Sequence, residues 1–192
     1  MSTAKATYHH GDLRAALVRA AMELLEESGE NDLSLRAVAR RAGVSPAAPY
    51  RHYASREALI SAVAAVGYRE LAEQLAGAHP SPSTPGQLAT VAVAYVRFAL
   101  ERPGLFRVMF GEPCDRDNDE RVAATEAVSA YVRGIVERSF PDADADALAT
   151  AAWGLVHGLA FLYLDGKLDA TDLAAVDDRV HAAVEAIATL NG

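Results

Sequence analysis

Apolar residues recur along this chain at the three- and four-residue spacing of helices, and no stretch alternates convincingly with the period of two expected of a strand. Leu13, Leu17, Ala21, Leu24 and Leu25 form one stripe, ended by Gly29 in the position of a C-terminal cap. Ser34 caps a second, short helix that stops at Gly43. Ser45 and Pro46 then start a third, with serine as N-cap and proline at the first helical position. Ser55 opens a fourth, whose stripe is Leu59, Ile60, Val63, Val66 and Leu71, ending near Gly77.

The Gly-, Pro- and Ser-rich segment Gly77–Pro85 reads as the main connection between an N-terminal and a C-terminal part. Beyond it, Thr84-Pro-Gly-Gln87 matches a capping box ahead of a helix that runs to Arg102, where Pro103-Gly104 breaks it. A short helix follows over Leu105–Phe110, and another from about Glu120 to Ser139. Asp142, Asp144 and Asp146 favour the positive end of a further helix lasting to Asp165-Gly166, and Asp169 caps the last, Ala170–Leu190. The expectation is an all-α protein of about nine helices without internal repeats.

Charge changes this picture by being unevenly placed. The 192 residues carry a net −8. Residues 1–60 hold eight Lys/Arg against seven Asp/Glu, so the acidity lies in the remainder. Leu33–Arg56 has five arginines and no acid. A confined basic patch on an acidic chain implies a local contact with nucleic acid, because phosphate attraction follows local charge. The acidic remainder repels DNA and limits nonspecific coating.

Cys114 is the only cysteine, which excludes an internal disulfide and a thiolate metal cage and fits a reducing compartment. The opening residues Met1–Tyr8 lack the apolar core of a signal peptide, so a cytoplasmic protein is expected. Ala147–Leu164 contains no charge and approaches membrane-spanning length. Its Ala/Gly richness, His157 and the flanking Asp146 and Asp165, without basic neighbours, favour burial in a core or a subunit interface over a membrane.

The chemistry concentrates in Ser34–Tyr53. Val38 and Ala42 supply an inward face, Gly43 permits a left-handed turn, Val44 plugs the angle and Ser45 restarts the chain. These are the ingredients of a helix-turn-helix, whose second helix enters the major groove. An ordinary helical hairpin shares this outline, but it does not explain five unopposed arginines beside Tyr50, His52 and Tyr53. Asp115, Asp117, Asp119 and Glu126 sketch a calcium loop, yet Glu120 stands where glycine is needed, so no metal is expected. No nucleophile elbow, phosphate loop or HExxH motif is present, and no cofactor is implied.

Arg36, Val38-Ala39, Ala42-Gly43-Val44-Ser45, Tyr50-Arg51-His52-Tyr53 and Ser55-Arg56-Glu57-Ala58-Leu59 resemble the DNA-binding domain of TetR-family regulators. Tyr8–Arg14 resembles the first-helix entry of one branch. Trp153-Gly-Leu-Val-His157-Gly158 resembles that branch's Trp-x-x-x-His-Gly signature. The resemblance implies a helix-turn-helix domain over residues 1–58 and a regulatory, dimerising domain over 59–192. It implies a homodimer on near-palindromic double-stranded operator DNA, released by a small hydrophobic effector. Arg36 would approach a base or phosphate, and Tyr50, His52 and Arg56 would position the DNA backbone. Ser45, Pro46, Ala47, Ala48 and Arg51 complete the expected contact set. The chain departs from the family at Pro46-Ala-Ala-Pro49: Ala48 lacks a hydroxyl, and Pro49 crowds the Ser45 carbonyl and makes the recognition helix start irregularly.

For the effector, Trp153 and His157 share a helix face, with walls expected from Tyr95, Phe98, Phe106, Met109, Phe110, Tyr131 and Phe161. The competing reading makes His157 a hydrogen-bonded core histidine. Dimer contacts are expected at Leu155, Leu159, Leu162, Val180, Val184 and Ile187, on the last two long helices. Two other functions compete: a constitutive DNA-binding protein without an effector, and a small helical enzyme using His157 with an acid. The latter is disfavoured because no acid lies on the His157 helix between Asp146 and Asp165.

Overall fold

The computed structural model describes residues 13–29, 32–111 and 117–190, so most of the Tyr8–Arg14 motif, Cys114 and Asp115 lie outside the described residues. Within them the regular structure is entirely helical: α1 (Leu13–Ser28), α2 (Leu35–Arg41), α3 (Arg56–Ala78), α4 (Pro85–Glu101), α5 (Pro103–Gly111), α6 (Asp119–Ser139), α7 (Ala145–Leu164) and α8 (Leu173–Leu190). The caps expected of Ser34, Ser55 and Thr84 form, each hydroxyl accepting from the backbone N–H three residues on, at 3.1, 3.2 and 3.3 Å. Gln87 completes its box by accepting from the Ser83 N–H instead of from that of Thr84.

The expected third helix does not form. Ser45–Ala48 is a turn closed by the Ala48 N–H on the Ser45 carbonyl, and Pro49–Arg51 is a single 3₁₀ turn whose N-cap is Ala48, not Ser45. Prolines at 46 and 49 remove two N–H donors within four positions. Pro49 would have to donate to Ser45 to continue an α-helix, and it has nothing to donate. This loss accounts for eight α-helices among the described residues where nine were expected. The last helix also begins later than expected. Asp169 accepts from the Thr171 N–H in a turn, and Asp172, accepting from Ala174, opens α8.

α3 is the spine. It packs on α1, α4, α5 and α6, while α8 lies along α4. Leu17, Leu25, Leu33, Leu59, Ile60 and Leu71 fill the N-terminal part of one continuous core. Phe98, Leu105, Phe106, Met109 and Ile135 fill the C-terminal part. α1 meets α5 so closely at Gly104 that a Cβ there would lie 2.4 Å from the Leu25 carbonyl oxygen. Ion pairs close the same seam: Arg102 bridges Glu26 of α1 and Glu70 of α3, and Arg14 of α1 reaches Glu120 at the start of α6.

α7 is mostly uncovered. Only 17% of its most apolar 18-residue window is buried within the chain. Its exposed residues include the small or apolar Ala147, Ala151, Gly154, Gly158 and Leu162, together with Asp146, Thr150 and Trp153.

Candidate DNA-contact surface and regulatory cavity

Gly43, at φ +69°, makes the left-handed turn after α2, and the Val44 N–H returns to the Ala39 carbonyl at 3.0 Å. That turn sets the recognition segment beside α2. Arg36, Ser45, Pro46, Ala47, Tyr50, Arg51 and His52 are all exposed there, with Tyr50 at 53%. Ala48 is half-buried, and Pro49 is buried beneath them. Arg40 is exposed as well, whereas Arg41 and Arg56 behave differently. Arg41 binds Glu23 and Glu27 of α1, which holds its charge well above even the usual guanidinium range and ties α2 to α1. Arg56, at the first position of α3, donates from Nε to the Leu33 carbonyl at 2.9 Å and fastens that helix start to the loop before α2. Tyr53 is an internal post: it is 3% exposed, its hydroxyl donates to the Arg14 carbonyl, and the Arg14 guanidinium lies over its ring.

The cavity lies among α3 to α7 and has a volume of about 550 Å³. Of the expected walls, Tyr95, Met109, Phe110 and Trp153 line it. Phe98, Phe106, Tyr131, His157 and Phe161 do not, which corrects the expected set. Phe98 and Phe106 are buried core. The Tyr131 hydroxyl donates to carbonyls at the end of α3, on Leu75 and His79, and so straps α6 to that helix. Phe161 packs on Phe106 and lies beneath the Arg107 guanidinium.

His157 stands behind the cavity wall as the centre of an aromatic cluster, 4.6 Å from Phe110, 4.9 Å from Phe161 and 5.6 Å from Trp153 by ring centroids. Its Nδ1 lies 3.0 Å from the Tyr95 hydroxyl. Burial lowers the imidazole pKa below its ordinary value and raises that of the Tyr95 phenol, so both are neutral near pH 7. His157 is half-buried, and its Nδ1 contact with the Tyr95 hydroxyl orients a residue of the cavity wall. It offers no nucleophile or acid pair.

Most of the lining was missed from sequence. Tyr68 of α3, Arg121, Thr125, Val128, Ser129, Val132 and Arg133 of α6, and Asp146, Ala149 and Thr150 of α7 contribute. The i, i+4 run Arg121, Thr125, Ser129, Arg133 was the available signal, but its polar residues read as a solvent face. Several of these polar groups are already engaged within the fold. The Tyr68 hydroxyl donates to the Met109 carbonyl, Thr125 to Arg121, Ser129 to Thr125 and Thr150 to Asp146. Arg133 bridges Glu137 and Asp146 at the rim. Arg121, 3% exposed, extends Nη2 to the Met109 carbonyl.

The expected dimer residues divide. Val180 and Val184 are buried within the chain, and Leu159 is 9% exposed, so none of the three has surface left for a partner. α8 presents its valines to α4 of the same chain, which corrects that part of the expectation. Leu162 is 43% exposed, while Leu155 and Ile187 are half-buried.

An all-helical chain with a helix-turn-helix headpiece, an exposed basic recognition segment and a separate apolar cavity belongs to the class of DNA-binding regulators. Sequence and structural comparisons give the family. The profile described as "Bacterial regulatory proteins, tetR family" matches residues 17–63, and that described as "Tetracyclin repressor-like, C-terminal domain" matches residues 88–192. The chain belongs to the TetR family. It is 35% identical to a protein of unknown function from Rhodococcus sp. RHA1, whose structure superposes with a TM-score of 0.79 over 95% of this chain and 96% of that one. It is 26% identical to an uncharacterised HTH-type transcriptional regulator of Mycobacterium tuberculosis, covering 85% of this chain and 75% of the relative. With YobS, an uncharacterised HTH-type regulator of Bacillus subtilis, identity is 25% over 76% of each. The chain is a DNA-binding transcription regulator and not an enzyme, in a family whose members bind operator DNA and dimerise.

Proposed function

We propose that this regulator is a homodimeric, cytoplasmic repressor whose affinity for a near-palindromic operator falls when a small hydrophobic effector enters the α3–α7 cavity. The observation that carries the reading is the cavity itself. About 550 Å³ walled by Tyr68, Tyr95, Met109, Phe110 and Trp153 suits a small apolar guest. α6, which supplies one wall, begins with Glu120 bonded to Arg14 of the DNA-binding part. A guest that favours one position of α6 shifts the population of headpiece positions, provided its affinity differs between them.

The DNA-contacting group is Arg36, Ser45, Pro46, Ala47, Tyr50, Arg51 and His52, supported by their shared exposure. Arg56 takes part through the position of α3. Residues 1–58 act as the headpiece and 59–192 as the regulatory part, joined by the continuous α3. The uncovered small-residue face of α7, with Leu162, pairs with its copy across a two-fold axis and not with lipid. Trp153 and His157 on one face of α7, with His157 held by Tyr95, support placement in the Trp-x-x-x-His-Gly branch.

The test is a titration of small apolar compounds followed by Trp153 emission, with operator affinity measured in parallel. Binding and release must be coupled reciprocally. Compounds that shift Trp153 emission while leaving operator affinity unchanged would refute the repressor reading.

A further inference from the structure

We infer that the recognition segment reads thymine through its methyl group, with the exposed pair Pro46 and Ala47 as the specificity-determining tip. The inference rests on the DNA-contact surface proposed above and goes further by naming the base and the chemistry of its readout.

In a helix-turn-helix the leading residues of the second element meet base edges in the major groove, while flanking groups hold phosphates. Here the residues that follow the Gly43 turn and Val44 are Ser45, Pro46 and Ala47, all exposed. Pro46 and Ala47 carry no hydrogen-bonding side chain. The backbone adds little. Pro46 and Pro49 have no N–H, and those of Ala48 and Arg51 are held by the Ser45 and Ala48 carbonyls at 2.9 and 3.2 Å. Exposed hydrogen-bonding side chains resume only at Tyr50, Arg51 and His52. The tip is therefore a small apolar surface bounded by polar groups.

Such a surface is not indifferent to sequence. Against guanine, cytosine or adenine it would cover hydrogen-bonding groups without pairing them, which costs free energy. Thymine alone presents a methyl group in the major groove, and apolar contact there removes hydrocarbon from water on both sides. The tip is also held in place before DNA arrives. The Pro46 ring fixes its own φ, and Pro49, buried beneath, anchors the turn, so little is lost in ordering it on the base.

The test begins with selection of bound duplexes from a randomised DNA library by the full-length protein. Each thymine in the selected site is then replaced by deoxyuridine, which removes only the methyl. The expected result is a thymine at a fixed place in each half-site, whose replacement weakens binding about four-fold, and about fifteen-fold when both half-sites are changed. Ala47→Gly or Pro46→Ser should shrink that ratio, because a lost contact disappears with its partner, whereas a methyl effect on DNA stiffness would persist. The wild-type comparison stands even if a variant misfolds. A selected site that binds equally with thymine or deoxyuridine at every position would overturn the methyl readout and leave the contact surface intact. A ratio undiminished in both variants would also overturn it, by removing the tip from the contact. Selection of no preferred sequence would overturn the inference and the contact surface together.

Discussion

Replacing Gly104 by alanine probes the seam between the DNA-binding and regulatory parts. The new Cβ would lie 2.4 Å from the Leu25 carbonyl oxygen and 2.8 Å from its carbon, where ordinary contact begins at 3.4 Å. The obstacle is the backbone of α1, which has no rotamer to change, so the two elements must separate by about 1 Å, the shortfall from ordinary packing density. Overpacking of this kind costs about 1–3 kcal/mol. For a chain of this size each kcal/mol lowers the melting temperature by roughly 2–4 °C, so a drop of about 4–8 °C is expected for the middle of that range. The same displacement stretches the 3.2 Å contact of Arg102 with Glu26 and moves α1 with its attached α2. Operator affinity should therefore change along with stability. The assay is scanning calorimetry together with operator titration at one salt concentration. A melting temperature within a degree of wild type and an unchanged operator affinity would refute the close-packed seam.

Three further outcomes are expected. Burial depresses the His157 pKa, so its neutral form is the folded one; the stability it contributes is present above its ordinary value of 6.5 and lost as pH falls through and below it. Melting temperature should thus fall between pH 7.5 and 5.5 more steeply in wild type than in His157→Phe, and parallel curves would contradict this. Leu162→Glu, on the uncovered face of α7, should convert the dimer to a monomer in sedimentation and abolish tight operator binding; an intact dimer would move the interface elsewhere. Arg36→Ala should weaken operator binding, and if its contact is a phosphate the salt dependence should flatten by about one unit of slope. If it reads a base, sequence preference should relax instead, and no change in either would remove Arg36 from the contact surface.

The elements most legible in sequence were those defined by local chemistry. Ser34, Ser55 and Thr84 announced helix starts, and Gly43 announced its turn, because each cap is a bond between near neighbours. The recognition segment was misread for an equally local reason. Pro46 passes as a helix-starting proline until Pro49 is counted with it, and the two together leave only a 3₁₀ turn. The cavity was legible only at its aromatic wall, from Tyr95, Phe110 and Trp153, whereas the α6 wall hid in a polar stripe. A charged residue such as Arg121 gives no local sign that tertiary packing will bury it. Val180 and Val184 show the same limit. Periodicity finds the apolar face of α8 but not whether that face meets α4 or another subunit.

The first turn of α6 holds two adjacent arginine-centred contacts that look in opposite directions, Arg121 toward the cavity and Glu120 toward Arg14. Val128 and Val132, two turns and more along the same helix, line the cavity far from that junction. On the proposed effector reading, the wall thus has an end that transmits and an end that merely fits. Substitutions at the distal end can retune which hydrocarbon is accepted while the link to the headpiece stays untouched. Substitutions in the first turn alter recognition and response together. On the proposed reading, a change of effector shape is therefore mechanically cheap, whereas a change at the first turn requires the signal to be rebuilt with it.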